Sequence, residues 1–329
     1  MPNQTVLIVG ARGRFGLCAA RAFAQAGWQV LAQARGTAGP AIDGVRWLHT
    51  DIGDTEALAQ LATQASVLVH AINPGYKVAT WEREALANLH SSMALATRLQ
   101  ATLMFPGNVY AFGESMPAVL TEDTPTQPSN AFARIRADME RALAQAAQMT
   151  TTATTALGDS TPALRSIVIR AGNFFGSGTG SWFDLAMARD IRKGVFCFPG
   201  SMEIATPWAY LPDLAQSFVQ VAQRAQQLPA HAVFHFAGHT LSGHDWVRAV
   251  QQAVVAKGWL AQDKALRVTS MPWGVMRALA WAVPTWRAVL SQRYLWLRPH
   301  RLDNSKLCGL IGQEPHTEIG QALAATLGA

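Results

Sequence analysis

The stretch TVLIVGARGRFG, Thr5 to Gly16, runs straight into LCAARAFAQAGWQV. Val6, Leu7, Ile8 and Val9 form an apolar run without alternation, as in a strand buried on both faces of a parallel sheet. After Gly16 the period changes. Leu17, Ala20, Arg21, Phe23 and Ala24 suit a helix, and Gly27 closes it. The glycines therefore occupy a strand-to-helix turn. Gly10, Gly13 and Gly16 are spaced G-x-x-G-x-x-G, which lets the chain turn sharply, the backbone approach a pyrophosphate, and the helix pack close to its strand. The helix amino terminus then offers N–H groups to phosphates, and the stretch reads as a dinucleotide-binding turn.

The second strand, Gln29 to Ala34, ends in Arg35, at about the distance where an acidic residue would hold the ribose 2′-hydroxyl of NAD. A basic residue there, with Arg12 in the glycine turn, would instead meet the 2′-phosphate of NADP through charge-assisted bonds. NADP(H) is thus the expected cofactor. NAD(H) remains the alternative if Arg35 is a solvated loop charge and Asp43 or Asp51 takes the ribose.

With 329 residues, 50% of them hydrophobic and 15% charged, the chain can bury a large core and form two lobes. Its net charge is +6 and its pI about 9.6. Lys and Arg are scattered, without a basic run or an interleaved aromatic platform, so attraction to anionic cofactors or substrates is expected rather than nucleic-acid binding. Cys18, Cys197 and Cys308 are isolated and odd in number, which argues for a reducing compartment and against a disulfide frame or a zinc site. The first apolar run leads into a glycine turn and does not resemble a signal peptide, so a cytoplasmic location is expected.

Further along, strands and helices alternate: VRWLHTDIGD as a strand ending at Asp51, TEALAQLATQ as a helix, SVLVHAINP as a buried strand, and WEREALANLHSSMALATRLQAT as a long helix. TLMFPGNVYAFGE holds the fifth strand and its exit, NAFARIRADMERALAQAAQM is helical, and LRSIVIRAGNFFG brings a sixth strand. The pattern predicts an α/β fold, a Rossmann-type doubly wound parallel sheet. TTTATTALGDSTPA, between the last two elements, reads as a surface loop.

With these landmarks in order, the chain resembles the extended short-chain dehydrogenase/reductase family, the NAD-dependent epimerase/dehydratase group. The resemblance is carried by the glycine turn, TDIGD around Asp51, HAINP, Asn88 on the long helix, GNVYAFG, IRAGNFFG and WAYLPDLAQ at Tyr210 to Gln216. It implies a Rossmann domain of residues 1–171 with 205–237, and a smaller, discontinuous substrate lobe of 172–204 with 238–329. It further implies a cofactor set: Gly10, Arg12, Gly13, Arg14, Phe15 and Gly16 in the turn, then Arg35, Asp51, Ile52, Ala71, Asn73, Gly107, Asn108, Arg136, Ala171, Asn173 and Phe174.

The family's chemistry uses a tyrosine four residues before a lysine on the helix after the fifth strand, and a serine near that strand's end. The phenol moves a proton, the ammonium lowers its pKa and holds the ribose, and the serine binds the substrate oxygen. Aligned through Glu140 in RADMER, this chain has Phe132 at the tyrosine position and Arg136 at the lysine position. The serine position falls on Pro106 or Gly107. Phenylalanine has no proton to give, and arginine holds its charge, so Arg136 suits a ribose or anion clamp and not a base. The chain thus resembles an atypical subgroup without the usual pair.

Tyr110, leaving the fifth strand, is the leading substitute acid, ahead of Tyr76 and Tyr210. An ordinary phenol is a poor base near neutral pH, so this role needs a nearby cation, and Arg136 is the candidate. The alternative is a tyrosine packed between the lobes. Arg170 suits a substrate-anion or structural role. His231 and His235 read as ordinary strand histidines, GSGTGS from Gly176 as a flexible loop, and no metal site is expected. The tryptophan-rich MPWGVMRALAWAVPTWRAVLSQRYLWLRP is too interrupted by Arg277, Arg287, Arg293 and Pro284 to span a membrane. It reads foremost as a buried pocket wall, implying a bulky or apolar small-molecule substrate, and secondarily as an interfacial or subunit-contact surface that leaves room for a homodimer. The expected function is an NADP(H)-dependent oxidoreductase with non-standard catalytic residues. The competing class is a catalytically silent NADP(H)-binding sensor.

Overall fold

A computed structural model describes residues 4–36, 39–75, 77–156, 164–176 and 180–328. The opening apolar run forms β1 (Thr5–Val9), buried along its whole length, and the glycine turn delivers the chain into α1 (Arg14–Gln25). There follow β2 (Gln29–Gln33), β3 (Val45–Leu48), α2 (Thr55–Leu61), β4 (Ala65–His70), α3 (Val78–Leu99) and β5 (Thr102–Asn108). The chain continues through β6 (Val119–Leu120), α4 (Ala131–Ala156), β7 (Arg165–Ala171), β8 (Asn173–Phe175), β9 (Val195–Phe198), β10 (Thr206–Tyr210) and α5 (Leu211–Ala222). The remainder comprises β11 (His231–His235), β12 (His239–Leu241), α6 (Gly243–Ala256), β13 (Arg267–Ser270), α7 (Trp273–Leu279), α8 (Pro284–Ser291), β14 (Arg301–Leu302), α9 (Ser305–Ile311) and α10 (Ile319–Thr326).

Seven strands form one parallel sheet in the order β11-β7-β5-β4-β1-β2-β3. From β1 the chain winds outward to β2 and β3, then returns to β4 and winds the other way. The reversal between β1 and β4 opens a crevice at the carboxyl ends of the strands, where doubly wound folds hold ligands. The sheet is an α/β doubly wound one, as the alternating pattern predicts. Two apolar clusters cover its faces: α1 and α5 supply Phe15, Phe23 and Phe218 on one, and α3 and α4 supply Trp81, Leu89, Phe132 and Leu143 on the other.

A third cluster lies around the small sheet β12-β10-β8, where Phe175, Phe183, Trp208, Trp246 and Trp296 pack edge-on or tilted against one another. The threonine-rich segment departs from its loop reading. Helix α4 continues through Ala156, and residues 157–163 lie outside the described residues, as do Tyr76 and the centre of GSGTGS. The tryptophan-rich segment divides. Tyr294, Leu295 and Trp296 are buried, whereas Val275, Leu279 and Trp281 are exposed.

Candidate functional site

The turn after β1 shows why glycine is required at two of its positions. Gly10 has φ +76°, and a Cβ there would come within 2.8 Å of Ile72 backbone N. A Cβ on Gly16 would lie 2.5 Å from Gly10 O and 2.8 Å from Ala11 Cα, so its absence lets α1 sit against the turn. No side chain caps α1 at Gly13, and the amide end of the helix is left for an anion. Gln33 steadies the arrangement: its Oε1 accepts from Gly10 N at 3.0 Å and its Nε2 donates to Thr50 O at 2.6 Å.

A cleft of about 840 Å³ opens over this turn. Its wall includes Gly10, Arg12, Gly13, Arg14 and Phe15, then Arg35 after β2, Asp51 and Ile52 after β3, and Ala71 and Asn73 after β4. Pro106, Asn108 and Tyr110 come from the end of β5, Phe132 and Arg136 from α4, and Phe174 from β8. Of the residues expected at the cofactor, Gly16, Gly107, Ala171 and Asn173 do not line it. Gly16 and Gly107 are packing glycines; a Cβ on Gly107 would meet Arg170 Cγ at 2.8 Å and Glu140 Oε1 at 2.9 Å. Asn173 is buried in β8 with both amide atoms unpartnered. Another hollow, of about 630 Å³, lies at the opposite edge near Thr5, Gln29 and Gly44, away from the crevice.

Arg136 is held in the cleft with its guanidinium 4.8 Å from the Trp81 ring centre and 5.4 Å from that of Phe105, and it donates to Asn73 Oδ1 at 2.9 Å. Burial lowers its pKa to about 10, against the opposing pull of Tyr110 and Glu140, so it stays cationic at neutral pH. Phe132 is buried edge-on to Trp81 at 5.3 Å and forms part of the core. Pro106 fits the strand because β5 pairs with β4 only through Met104, so beyond that point it has β7 alone as neighbour.

Tyr110 lines the cleft within electrostatic reach of Arg136. Its backbone is fixed from two sides: its N–H donates to Asn108 Oδ1 at 3.1 Å, and its carbonyl accepts from Tyr294 Oη at 3.1 Å. Tyr210 is buried at the end of β10, and burial pushes its phenol pKa up. Arg170 is sequestered below the cleft, bonded to Glu140 through Nη2 at 2.7 Å and Nε at 2.9 Å, with His235 at 3.4 Å. His231 and His235 are likewise held locally, by Ser166 Oγ and Leu120 O.

The cleft also takes residues the sequence reading did not assign. Gln33 left a signal, a polar residue inside an apolar strand. Ala288, Val289 and Gln292 belong to the tryptophan-rich segment read as a pocket wall, but neither these positions nor Trp182 were singled out, because they reach the cleft from distant parts of the chain. Arg14 Nη1 donates to Gly180 O at 2.5 Å, joining the glycine turn to the segment that carries Trp182.

The fold is shared with enzymes of known structure. The structure of Bordetella bronchiseptica WbmH in complex with NAD+ superposes with a TM-score of 0.70 at 16% identity, over 99% of this chain and 98% of that one. UDP-glucose 4-epimerase from Brucella ovis in complex with NAD matches with 0.69 at 15%, again over 99% and 98%. The Thermotoga maritima UDP-glucose 4-epimerase with UDP-glucose matches with 0.68 at 14%, over 99% and 98%. No curated protein sequence gives a significant match. The family model described as the NAD dependent epimerase/dehydratase family matches residues 6–243, and the chain belongs to that family.

Proposed function

We propose that the cleft binds NADP(H) in preference to NAD(H) and that the protein is an oxidoreductase working with non-standard catalytic residues. The observation that carries this reading is the set of four arginines, Arg12, Arg14, Arg35 and Arg136, along a cleft whose carboxylates are Asp51 and Glu84. That balance suits a ligand with several phosphates. The glycine cradle, which side chains would fill at Gly10 and Gly16, fits a dinucleotide pyrophosphate. Structures of the same fold contain NAD.

The cofactor, when bound, supplies hydride chemistry. Of this chain's own groups, Arg12 and Arg35 hold the 2′-phosphate and the amide end of α1 holds the pyrophosphate. Arg136 clamps a ribose or a substrate anion, and Tyr110 is the proton carrier. A bulky or apolar small molecule fits the side formed by Phe174, Trp182, Ala288 and Val289.

A second reading, a silent NADP(H)-binding sensor, is favoured by Phe132, which puts a core ring where the family has its proton donor. Calorimetric titration with NADPH and NADH, followed by a screen of carbonyl and hydroxyl compounds, separates the readings. Tight NADPH binding with turnover supports the enzyme. Tight binding without turnover supports the sensor, and equal affinity for both cofactors overturns the NADP(H) preference.

A further inference from the structure

Between Asp263 and Asp303 the chain carries seven arginine and lysine residues and no carboxylate. The α7–α8 hairpin lies at the centre of that stretch. Val275, Ala278 and Leu279 fall at i, i+3 and i+4, the spacing of an apolar helix stripe, and Ala282 follows in the turn after α7. In an ordinary surface helix such a stripe turns inward. Here it turns outward: Val275 is 55% exposed, Leu279 43% and Trp281 78%, and Ala278 and Ala282 are exposed with them. The hairpin is nonetheless firmly seated. Met276 and Ala288 are buried, and the Trp273 indole N–H donates to Pro199 O at 2.8 Å beneath the Arg293 guanidinium.

Arg277 and Arg287 are exposed on the same hairpin. A second copy docking on this face about a two-fold axis would gather the arginines of both copies in one interface, to which the stretch contributes no acidic residue. A partner both apolar and anionic matches the surface instead. The headgroup region of an anionic bilayer has both properties, and among the described residues no helix is long and apolar enough to cross a membrane. We propose that the α7–α8 hairpin docks the protein peripherally on an anionic lipid bilayer. Val275, Leu279 and Trp281 enter the headgroup boundary, and Arg277 and Arg287 pair with lipid phosphates. Ala288 and Val289 of the same hairpin line the cleft, so docking brings one cleft wall next to the bilayer.

Cosedimentation of the full chain with phosphatidylcholine vesicles, with and without phosphatidylglycerol, tests this independently of any activity. Anionic vesicles should pellet the protein and neutral ones should not, and added salt should release it. Arg277→Glu and Arg287→Glu should each weaken binding by at least about fivefold. Trp281→Ser and Leu279→Ser should weaken it while leaving the salt dependence unchanged. Circular dichroism checks that these surface variants fold. Absence of binding to anionic vesicles, or equal binding to both kinds, overturns the proposal. So does a wild-type dimer in sedimentation velocity that Trp281→Ser converts to monomer, because the face would then belong to a second copy.

Discussion

Arg136 Nη2 donates to Asn73 Oδ1 at 2.9 Å, which ties α4 to the segment leaving β4 inside the cleft. The bond aims a planar cation that burial leaves charged, its pKa at about 10. Arg136→Ala should therefore weaken cofactor binding by about one to two decades, the worth of one charge-assisted contact. The pH profile of any turnover should not move below pH 9, since Arg136 does not titrate there. A large shift in that profile would show that it takes part in proton transfer.

Arg35 follows β2 at the cleft rim, where the family resemblance puts the cofactor's ribose. Arg35→Ala should cost about 1.5–3 kcal/mol of NADPH affinity and leave NADH affinity nearly unchanged. Titration of both cofactors into both proteins measures the difference. A parallel loss for the two would move Arg35 away from the 2′-phosphate.

Glu140 and Arg170 form a buried pair beneath the cleft, with side chains 8% exposed on each partner. Removing one charge strands the other, so Glu140→Gln should destabilise the protein by about 3–5 kcal/mol in urea denaturation. Adding Arg170→Met should recover part of that loss, because two neutral side chains leave no buried charge. An unchanged urea midpoint in Glu140→Gln would contradict the pairing.

Acid stability follows from buried histidines. Burial, assisted by Arg136, pushes the His70 pKa down to about 3, and burial brings His235 and His239 to about 4. Each stays neutral in the folded state below the ordinary value of about 6.5, at which the unfolded chain takes up protons. The unfolded state therefore binds more protons between about pH 4 and 6.5. Stability is full above that window and falls as pH drops through it, by about 1.4 kcal/mol per pH unit for each histidine. His70→Asn, which retains a partner for Ser92, should flatten the slope by one histidine's share. Urea midpoints that stay level from pH 7 to 5 would contradict this.

The fold was legible because its deciding elements are local. Val6 to Val9 are apolar without alternation, and Gly10 and Gly16 sit where side chains would collide, so strand, turn and helix are all encoded within the first 25 residues. The cleft was legible residue by residue mainly on the Rossmann side, where each strand end delivers its residue by sheet topology. The tryptophan-rich segment was legible as a pocket wall, but that Ala288, Val289 and Gln292 are the residues facing the cleft depends on tertiary packing. Asn173 illustrates the converse: a family landmark by sequence, it is buried off the cleft wall in this structure. The outward stripe of α7 has the same spacing as an inward one, so periodicity could not say which way it faces.

Tyr110 is the residue on which the enzymatic reading turns. It leaves β5 at the carboxyl edge of the sheet, lines the cleft, and lies within electrostatic reach of Arg136, while Phe132 lacks a proton to exchange. Its backbone is pinned through Asn108 and Tyr294, so changing the side chain should not release the loop. Its ring also packs against apolar clusters on both sides. Tyr110→Phe keeps that packing and removes only the hydroxyl. If Tyr110 carries the proton, turnover of a substrate found by screening should fall by about a hundredfold to ten-thousandfold. NADPH affinity and thermal stability should stay close to wild type, which distinguishes lost chemistry from lost structure. Wild-type turnover in this variant would remove Tyr110 from the mechanism and leave it as a packing residue between the two clusters.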